Sequence, residues 1–253
     1  ACKYVPGLSE ASSRAGWSLV QPLLSSAGQG YGTSSLDRDV EELDTLITFL
    51  RDRCGTAKVA LAGHSTGCQI SCHYIRSGQA ELRRLVSHVF LQAPCSDREI
   101  ACAEEATRTA GVLELARGLE DKTALLPRTA TYVPITVERF LSLYGKGGID
   151  DYFSSDLTPQ GLSERFQGFA DESGPAALVA YSMEDEYVPA TVDKAALVSR
   201  ICAAMRGTGS SDDGGSRIRP LLLEGANHNL TSKTDGSSAR EFLAACEAML
   251  REG

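Results

Sequence analysis

The stretch that decides the fold is KVALAGHSTG, residues 58–67. Its first half, Lys58–Ala62, is a short apolar run, and helical spacing begins at Cys68. Between them, Gly63–Gly67 has the pattern G-x-S-x-G with Ser65 at its centre. A serine on a sharp turn between a buried strand and a helix is the context of a nucleophile elbow. The stretch therefore predicts Ser65 as a nucleophile.

The sharp turn restricts which residues can flank the serine. We expect side chains at Gly63 and Gly67 to clash, so that both positions require glycine. The backbone N–H of Thr66, at the head of the helix, is the expected donor to an oxyanion that forms during reaction at Ser65. The turn thus predicts a nucleophile and one donor of an oxyanion hole.

Near-continuous apolar runs predict strands that are buried on both faces. They are Trp17–Leu24, Lys58–Ala62, Val86–Gln92, Ala176–Tyr181 and Ile218–Leu223. Helical patterns alternate with these runs, at Pro6–Ala15, Leu36–Leu50, Cys68–Arg76, Thr191–Met205 and after a capping box of Ser238 with Glu241. A flexible loop is predicted at Gly207–Ser216. The alternation predicts an α/β fold with a mostly parallel sheet and helices on both faces.

The stretch from Ser96 to Gly174 has no good strand pattern. It has helical segments around Ile100–Gly118 and Val137–Tyr144, and a third begins at Thr158. An insertion of this size between two core strands predicts a helical cap, at about 96–174, over the C-terminal edge of the sheet. We expect one domain, residues 1–253.

Composition narrows the classes of function. The 25 Lys and Arg against 33 Asp and Glu give a net charge of −8, which argues against nucleic acid or an anionic membrane as partner. No apolar run approaches the roughly 20 residues of a membrane helix, and no signal peptide is visible. The eight cysteines form no C-x-x-C pair, so we expect reduced thiols. These features predict a cytoplasmic protein and do not indicate an oligomeric state.

A serine hydroxyl needs a base to take its proton, and the chain has four histidines. His64 lies inside the elbow, His73 lies two turns into the next helix and His88 lies in a strand, so we expect structural roles for them. His228 lies in a loop just after the run Ile218–Leu223, and such loops hold catalytic groups in open α/β sheets. The pattern predicts His228 as the base.

The base needs a carboxylate to hold its tautomer. Glu184, Asp185 and Glu186 share the loop after the run Ala176–Tyr181. The short side chain of Asp185 suits a fixed distance to His228, and the two glutamates remain alternatives on this reasoning.

A second acidic cluster holds Asp150, Asp151 and Asp156. Adjacent carboxylates can bind a metal or a cationic group, but a solvated or helix-capping loop is the simpler interpretation. Tyr152 and Phe153 are candidates to line a pocket beneath the cap.

Six stretches along the chain carry a family resemblance. They are WSLVQP at 17–22, SSLDRD at 34–39, GHSTGCQ at 63–69, APCSDRE at 93–99, DYFSSDL at 151–157 and DEYVP at 185–189. In these residues the chain resembles a family of α/β-hydrolases, long classed as a domain of unknown function, that includes fungal siderophore esterases. The resemblance extends from the first predicted strand to the acidic loop.

The resemblance implies an α/β-hydrolase fold with a triad in the order Ser65, Asp185, His228. The sequence Asp185-x-x-Val188-Pro189 resembles the acid loop of many α/β-hydrolases, which favours Asp185 over its neighbours. The resemblance also implies that characterised relatives cleave ester bonds of hydroxamate siderophores inside the cell. A small-molecule ester is therefore the expected substrate.

One part of the family pattern is not seen. In this fold a strand and a Gly-rich loop precede the first helix, and the loop provides the second oxyanion donor. Here Pro6–Ala15 already has the pattern of that helix, so either the sequence is a fragment of a longer product or the site has lost the second donor. Of the two, we expect a truncated gene product that lacks the N-terminal strands. Losing one donor costs about 10²–10³ in turnover.

The pattern as a whole predicts a serine esterase that forms an acyl-enzyme and needs no metal or organic cofactor. Two alternatives remain: a thioesterase or acyltransferase with the same triad, and a catalytically inactive α/β-hydrolase fold that binds a ligand or partner. A peptidase would need a cap that admits a chain terminus, and no feature argues for one.

Overall fold

The computed structural model describes residues 2–207, 217–232 and 235–252. The strands in these ranges are β1 Val59–His64, β2 Val86–Gln92, β3 Ala176–Ser182 and β4 Ile218–Leu223. The helices are α1 Val5–Arg14, α2 Leu36–Cys54, α3 Thr66–Ser77, α4 Ala80–Arg83, α5 Asp97–Gly118, α6 Val137–Tyr144, α7 Pro159–Arg165, α8 Lys194–Arg206 and α9 Ser237–Glu252, with a 3-10 helix at Gly28–Gly32. Apart from Gly207, the loop predicted at Gly207–Ser216 lies outside the described residues.

The strands form one parallel sheet in the order β1-β2-β3-β4. The register pairs His64 of β1 with Gln92 of β2, and Ser182 of β3 with Leu223 of β4. The carboxyl ends of the strands therefore meet at one edge, where α/β proteins place their catalytic loops. The predictions of these strands and of their parallel arrangement are confirmed.

Helices cover both faces of the sheet. Phe90 and Leu178 belong to one buried core with Phe242 of α9. Leu91 and Val179 belong to the other, which α2, α3 and α8 share. Because successive side chains of a strand point to opposite faces, a strand buried on both sides is apolar throughout, as the sequence shows.

The strand predicted at Trp17–Leu24 is wrong. The segment has no regular secondary structure, and the side chains of Val20 and Leu23 are 48% and 90% exposed. A strand needs a neighbour to accept its ladder hydrogen bonds, and no described strand pairs with this segment. The Trp17 indole instead donates to the Leu250 carbonyl and contacts the His88 ring edge-on.

The capping box predicted for the last helix is also wrong. Ser238 lies inside α9, and no described residue hydrogen-bonds its buried hydroxyl. Asp235 is the residue that accepts a hydrogen bond, at 2.9 Å, from the first backbone N–H of the helix, at Ser237. Ser238 is the second residue of the helix and therefore lies inside it, whereas a cap residue precedes the first helical residue.

Three helices, α5, α6 and α7, lie between β2 and β3, which confirms the helical content predicted there. Helix α5 is kinked at Glu105, whose backbone angles are φ −141° and ψ 53°. Val112 of α5 packs with Phe140 and Leu143 of α6 in a small core of its own. That these helices form a cap over the sheet edge stays a prediction.

Candidate active site

Ser65 occupies the turn between β1 and α3 in a conformation that few side chains adopt. Its backbone angles are φ 53° and ψ −122°. Such a conformation persists only where the surroundings impose it, and the Ser65 N–H donates to the Gln92 carbonyl at 3.1 Å. The turn places the hydroxyl at the carboxyl edge of the sheet, as a nucleophile elbow does.

The two glycines of the elbow differ. A Cβ at Gly63 would lie 2.2 Å from the Gly67 carbonyl oxygen, so Gly63 is required for the close approach of strand and helix. A Cβ at Gly67 would meet nothing within 4 Å. The expectation that Gly67 is also required by a clash is therefore wrong, because a Cβ at this position would point into open space although the Gly67 backbone lies close to β1.

His228 and Asp185 form a buried pair. The His228 Nδ1 is 2.7 Å from the Asp185 Oδ2, and the two residues are 5% and 3% exposed. A second carboxylate oxygen, Oδ1 of Asp185, accepts from the Tyr187 N–H at 3.0 Å and fixes the side chain. With Nδ1 held by the carboxylate, the other ring nitrogen, Nε2, is left to act as a base.

Glu184 and Glu186 behave differently from Asp185. Both glutamates are exposed. Glu186 accepts a hydrogen bond at 2.8 Å from the backbone N–H of His228, not from its ring. The structure thus brings Asp185, and neither glutamate, to the imidazole.

The structure does not join Ser65 and His228 directly. Across the described residues, the Ser65 hydroxyl makes no hydrogen bond to the imidazole, and its contact is the Cys95 Sγ at 4.0 Å. The two residues are nevertheless near each other. The ring of His64, the residue before Ser65 in the chain, has its centroid 4.8 Å from that of the His228 ring. Ser65 and His228 therefore lie at the same sheet edge without a hydrogen bond between their side chains.

Gln92 links the elbow to the histidine loop. It is fully buried at the end of β2, and its carbonyl accepts from Ser65 while its Nε2 donates to the His228 carbonyl at 3.1 Å. Its Oε1 is 2.5 Å from the His64 Nδ1 and accepts from the Tyr4 hydroxyl at 3.1 Å. Sequence reasoning missed this residue, although a polar side chain at the end of an apolar strand was the available signal.

His64 is electrostatically suited to a structural role. Burial lowers its pKa, and the nearby His228 lowers it further, while the hydrogen bond with Gln92 opposes these effects. A neutral ring held by Gln92 leaves His228 without a charged neighbour on that side.

Thr66 is the first residue of α3, directly after Ser65. No residue of the described ranges accepts a hydrogen bond from its backbone N–H. A free N–H at a helix N-terminus is a ready donor to an anion. Thr66 also lines a cavity of about 440 Å³.

The remaining histidines are packed in the protein. His73 is buried, with its ring nitrogens 2.8 Å from the Tyr152 hydroxyl and 2.8 Å from the Asp37 Oδ1. His88 is buried against the rings of Trp17 and Phe90. Neither takes part in the site, as the sequence predicted.

Two of the three carboxylates in the second acidic cluster are buried, and Asp156 is exposed. Asp150 and Asp151 are each 3% exposed. Asp150 pairs with Arg139 at 2.7 Å, Asp151 pairs with Arg98 at 3.1 Å, and Asp156 pairs with Arg98 and Lys146. The interpretation as a solvated loop is therefore wrong for Asp150 and Asp151, because arginines of other elements pair with these carboxylates.

Tyr152 and Phe153 belong to the protein core, where both are essentially unexposed. Within the described part of the chain, no group of three or more His, Cys, Asp or Glu side chains is placed to hold a metal ion. No helix in those ranges is both long and apolar enough to span a membrane.

Comparisons with known proteins identify relatives of this chain. The family model for "Protein of unknown function (DUF1749)" matches residues 1–251. The UPF0613 protein PB24D3.06c of Schizosaccharomyces pombe is 32% identical over 98% of this chain and 82% of its own length. Fusarinine C esterase sidJ of Aspergillus fumigatus is 30% identical over 95% of this chain and 81% of its own length.

A solved structure is similar over nearly the whole fold. The siderophore hydrolase EstB from Aspergillus fumigatus superposes with a TM-score of 0.74 at 26% identity, covering 99% of this chain and 85% of its own. The similarity confirms the predicted family resemblance and the α/β-hydrolase fold. On these grounds, the chain belongs to the α/β-hydrolase family described as protein of unknown function DUF1749.

Proposed function

We propose that this protein is a serine esterase that cleaves a small-molecule ester, with Ser65 as nucleophile, His228 as base and Asp185 as the acid that orients the base. The observation that carries the proposal is the buried Asp185–His228 pair at 2.7 Å, placed at the same sheet edge as the strained elbow serine. A buried imidazole that is held by a carboxylate, at the same sheet edge as an elbow serine, has the groups that acyl transfer needs.

The reaction class rests on the family. The chain is a carboxylic ester hydrolase, since its relatives include two curated esterases and a structurally similar siderophore hydrolase. The names of these relatives favour a siderophore ester as the substrate class here. The anionic balance of the chain, −8, supports a small molecule over nucleic acid as partner. The cytoplasmic location stays a prediction.

In the proposed first step, His228 Nε2 takes the proton of the Ser65 hydroxyl as Oγ attacks the ester carbonyl carbon. The carbonyl oxygen becomes an oxyanion, which the free N–H of Thr66 stabilises. His228 then gives its proton to the leaving alcohol, and the acyl group stays on Ser65. A water molecule, activated by His228, releases the acid and restores the serine.

The first step requires Ser65 Oγ to leave Cys95 and approach His228. Catalytic hydrogen bonds are often long before substrate binds and tighten in the complex. Cys95 offers little resistance, because a thiol is a weak hydrogen-bond partner at 4.0 Å. Burial raises the pKa of Cys95 to about 12, so the thiol stays protonated and does not compete as a nucleophile.

The test is a hydrolysis panel with matched oxygen and sulfur esters of one acid, together with an iron-free and an iron-loaded hydroxamate siderophore. We expect cleavage of the oxygen esters, and a preference between the two siderophore forms. Faster cleavage of the thioesters would replace the esterase by a thioesterase. No cleavage of either siderophore form, with the other esters cleaved, would remove the siderophore from the proposal.

A further inference from the structure

A cavity of about 440 Å³ lies beside the elbow. The residues of its wall that matter here are Ser26, Ala27, Tyr31, Thr66, Ile70 and Arg139. Because the wall includes Thr66, whose N–H faces the developing oxyanion in the proposed reaction, the cavity adjoins the position of the substrate carbonyl. The acyl part of a substrate is the portion that extends from that carbonyl.

Among the described residues that line this wall, the charged one is Arg139, which is 2% exposed. Its Nη1 donates to both carboxylate oxygens of Asp150, at 2.7 and 2.8 Å, and its Nε donates to the Tyr31 carbonyl at 3.0 Å. These bonds hold the planar group in one orientation. Its Nη2 donates to no described residue, so one pair of N–H groups remains available.

The charges around Arg139 determine whether its Nη2 favours a neutral or an anionic oxygen of a ligand. Asp150 already balances the guanidinium, and Asp97 and Asp39 lie close enough to interact with it. Burial raises the pKa of Asp97 to about 6, and Asp150 adds to the effect while Arg139 opposes it. With three carboxylates around one guanidinium, a further anion is repelled, whereas a neutral oxygen still accepts a hydrogen bond.

We propose, on the basis of the proposed esterase function, that this cavity takes the acyl part of the substrate and that Arg139 Nη2 donates a hydrogen bond to a neutral carbonyl oxygen on it. Arg139 is then a specificity-determining residue. It favours acyl groups that carry an uncharged carbonyl over plain alkyl chains and over acyl groups that end in a carboxylate.

The test uses p-nitrophenyl esters of matched length: pentanoate with 4-oxopentanoate and hydrogen succinate, and hexanoate with 5-oxohexanoate and hydrogen glutarate. Rates are corrected for hydrolysis without enzyme. We expect one of the oxo esters to exceed its alkyl match in kcat/KM by about tenfold, the effect of one good hydrogen bond. The carboxylate esters should be the slowest of each set.

The variant Arg139→Lys keeps the charge opposite Asp150 but loses the second nitrogen. We expect the ratio of oxo to alkyl rates to fall from about ten to about one. Arg83→Lys is the matched control, since Arg83 is partly buried and donates to the Ile75 carbonyl at the far end of α3. The ratio should survive in that variant.

A second variant covers the case in which Arg139→Lys fails to fold. Ala27 lines the cavity but is exposed and has no part in the Arg139–Asp150 pair. Ala27→Phe should narrow the cavity and lower the rates of pentanoate and hexanoate relative to acetate. Cleavage of alkyl esters with no oxo preference at either length would overturn this inference alone. Failure to cleave any ester would overturn the proposed function, and this inference with it.

Discussion

The His228 Nδ1 and the Asp185 Oδ2 are 2.7 Å apart in a site where both residues are more than nine-tenths buried. In such surroundings a carboxylate does more than hold a ring in place. It fixes the proton on Nδ1, so that Nε2 carries the lone pair, and it stabilises the imidazolium once a proton has been taken. This relationship makes the choice among the three acids of the loop testable.

Replacing Asp185 by Asn should lower kcat by roughly 10⁴, the cost of the wrong tautomer in a serine protease with the same triad. KM should change little, because the carboxylate does not touch the substrate. Steady-state kinetics on a p-nitrophenyl ester measure both constants. Glu186→Gln is the matched control and should cost less than about tenfold, since Glu186 bonds only the His228 backbone. A larger loss from Glu186→Gln than from Asp185→Asn would reverse the assignment.

The two glycines of the elbow should respond in opposite ways to the same substitution. Gly63→Ala places a Cβ 2.2 Å from the Gly67 carbonyl oxygen and should destabilise the fold by about 3 kcal/mol, the upper range for overpacking. Gly67→Ala meets nothing within 4 Å and should gain up to about 1 kcal/mol from helix propensity. Urea unfolding of the two variants measures the difference. Equal stabilities would contradict the described packing of β1 against α3.

The buried ion pair of Arg139 and Asp150 should be costly to break. Asp150→Asn leaves the guanidinium without its balancing charge and should lower the free energy of unfolding by about 3 kcal/mol or more. Glu247→Gln removes a carboxylate that pairs with Arg14 and Arg251 on the surface, and should leave the urea midpoint unchanged. A tolerated Asp150→Asn would mean that the pair is not buried as described.

Asp97 should make stability depend on pH. Its pKa is raised by burial to about 6, above the value of an unfolded aspartate, so the native state binds the proton more tightly. The contribution of the protonated group is lost as the pH rises from about 4 to about 6. Asp97→Asn should therefore be more stable than wild type at pH 7, with the gap closing below pH 4. A wild type that gains stability over Asp97→Asn as the pH rises would give Asp97 the opposite role.

The parts of the fold that depend on local pattern were predictable. The run Val86–Gln92 and the segment Leu36–Leu50 carry their strand and helix signals within themselves. Helix α2 ends just before Gly55, which has the left-handed conformation that glycine adopts readily at helix ends. The segment Trp17–Leu24 shows the limit, because a strand also requires a partner that its own sequence does not specify.

The site was predictable to a similar extent. Ser65, Asp185 and His228 could be named because each follows a strand end in a parallel sheet. Gln92 carried a signal, a polar side chain at the end of an apolar strand, but its partners and the contact of Cys95 with Ser65 depend on which loops meet in space. The burial of Asp150 is of the same kind, because it results from an arginine on another element.

The most direct test of the central claim is covalent labelling with an active-site fluorophosphonate, followed by intact mass and peptide mapping. The account predicts one adduct per chain, on Ser65, and none in a folded Ser65→Ala variant with the wild-type melting temperature. A folded wild type that stays unlabelled, or that is labelled on another residue, would contradict the assignment of Ser65, Asp185 and His228. The unlabelled outcome would favour a binding protein built on the same fold.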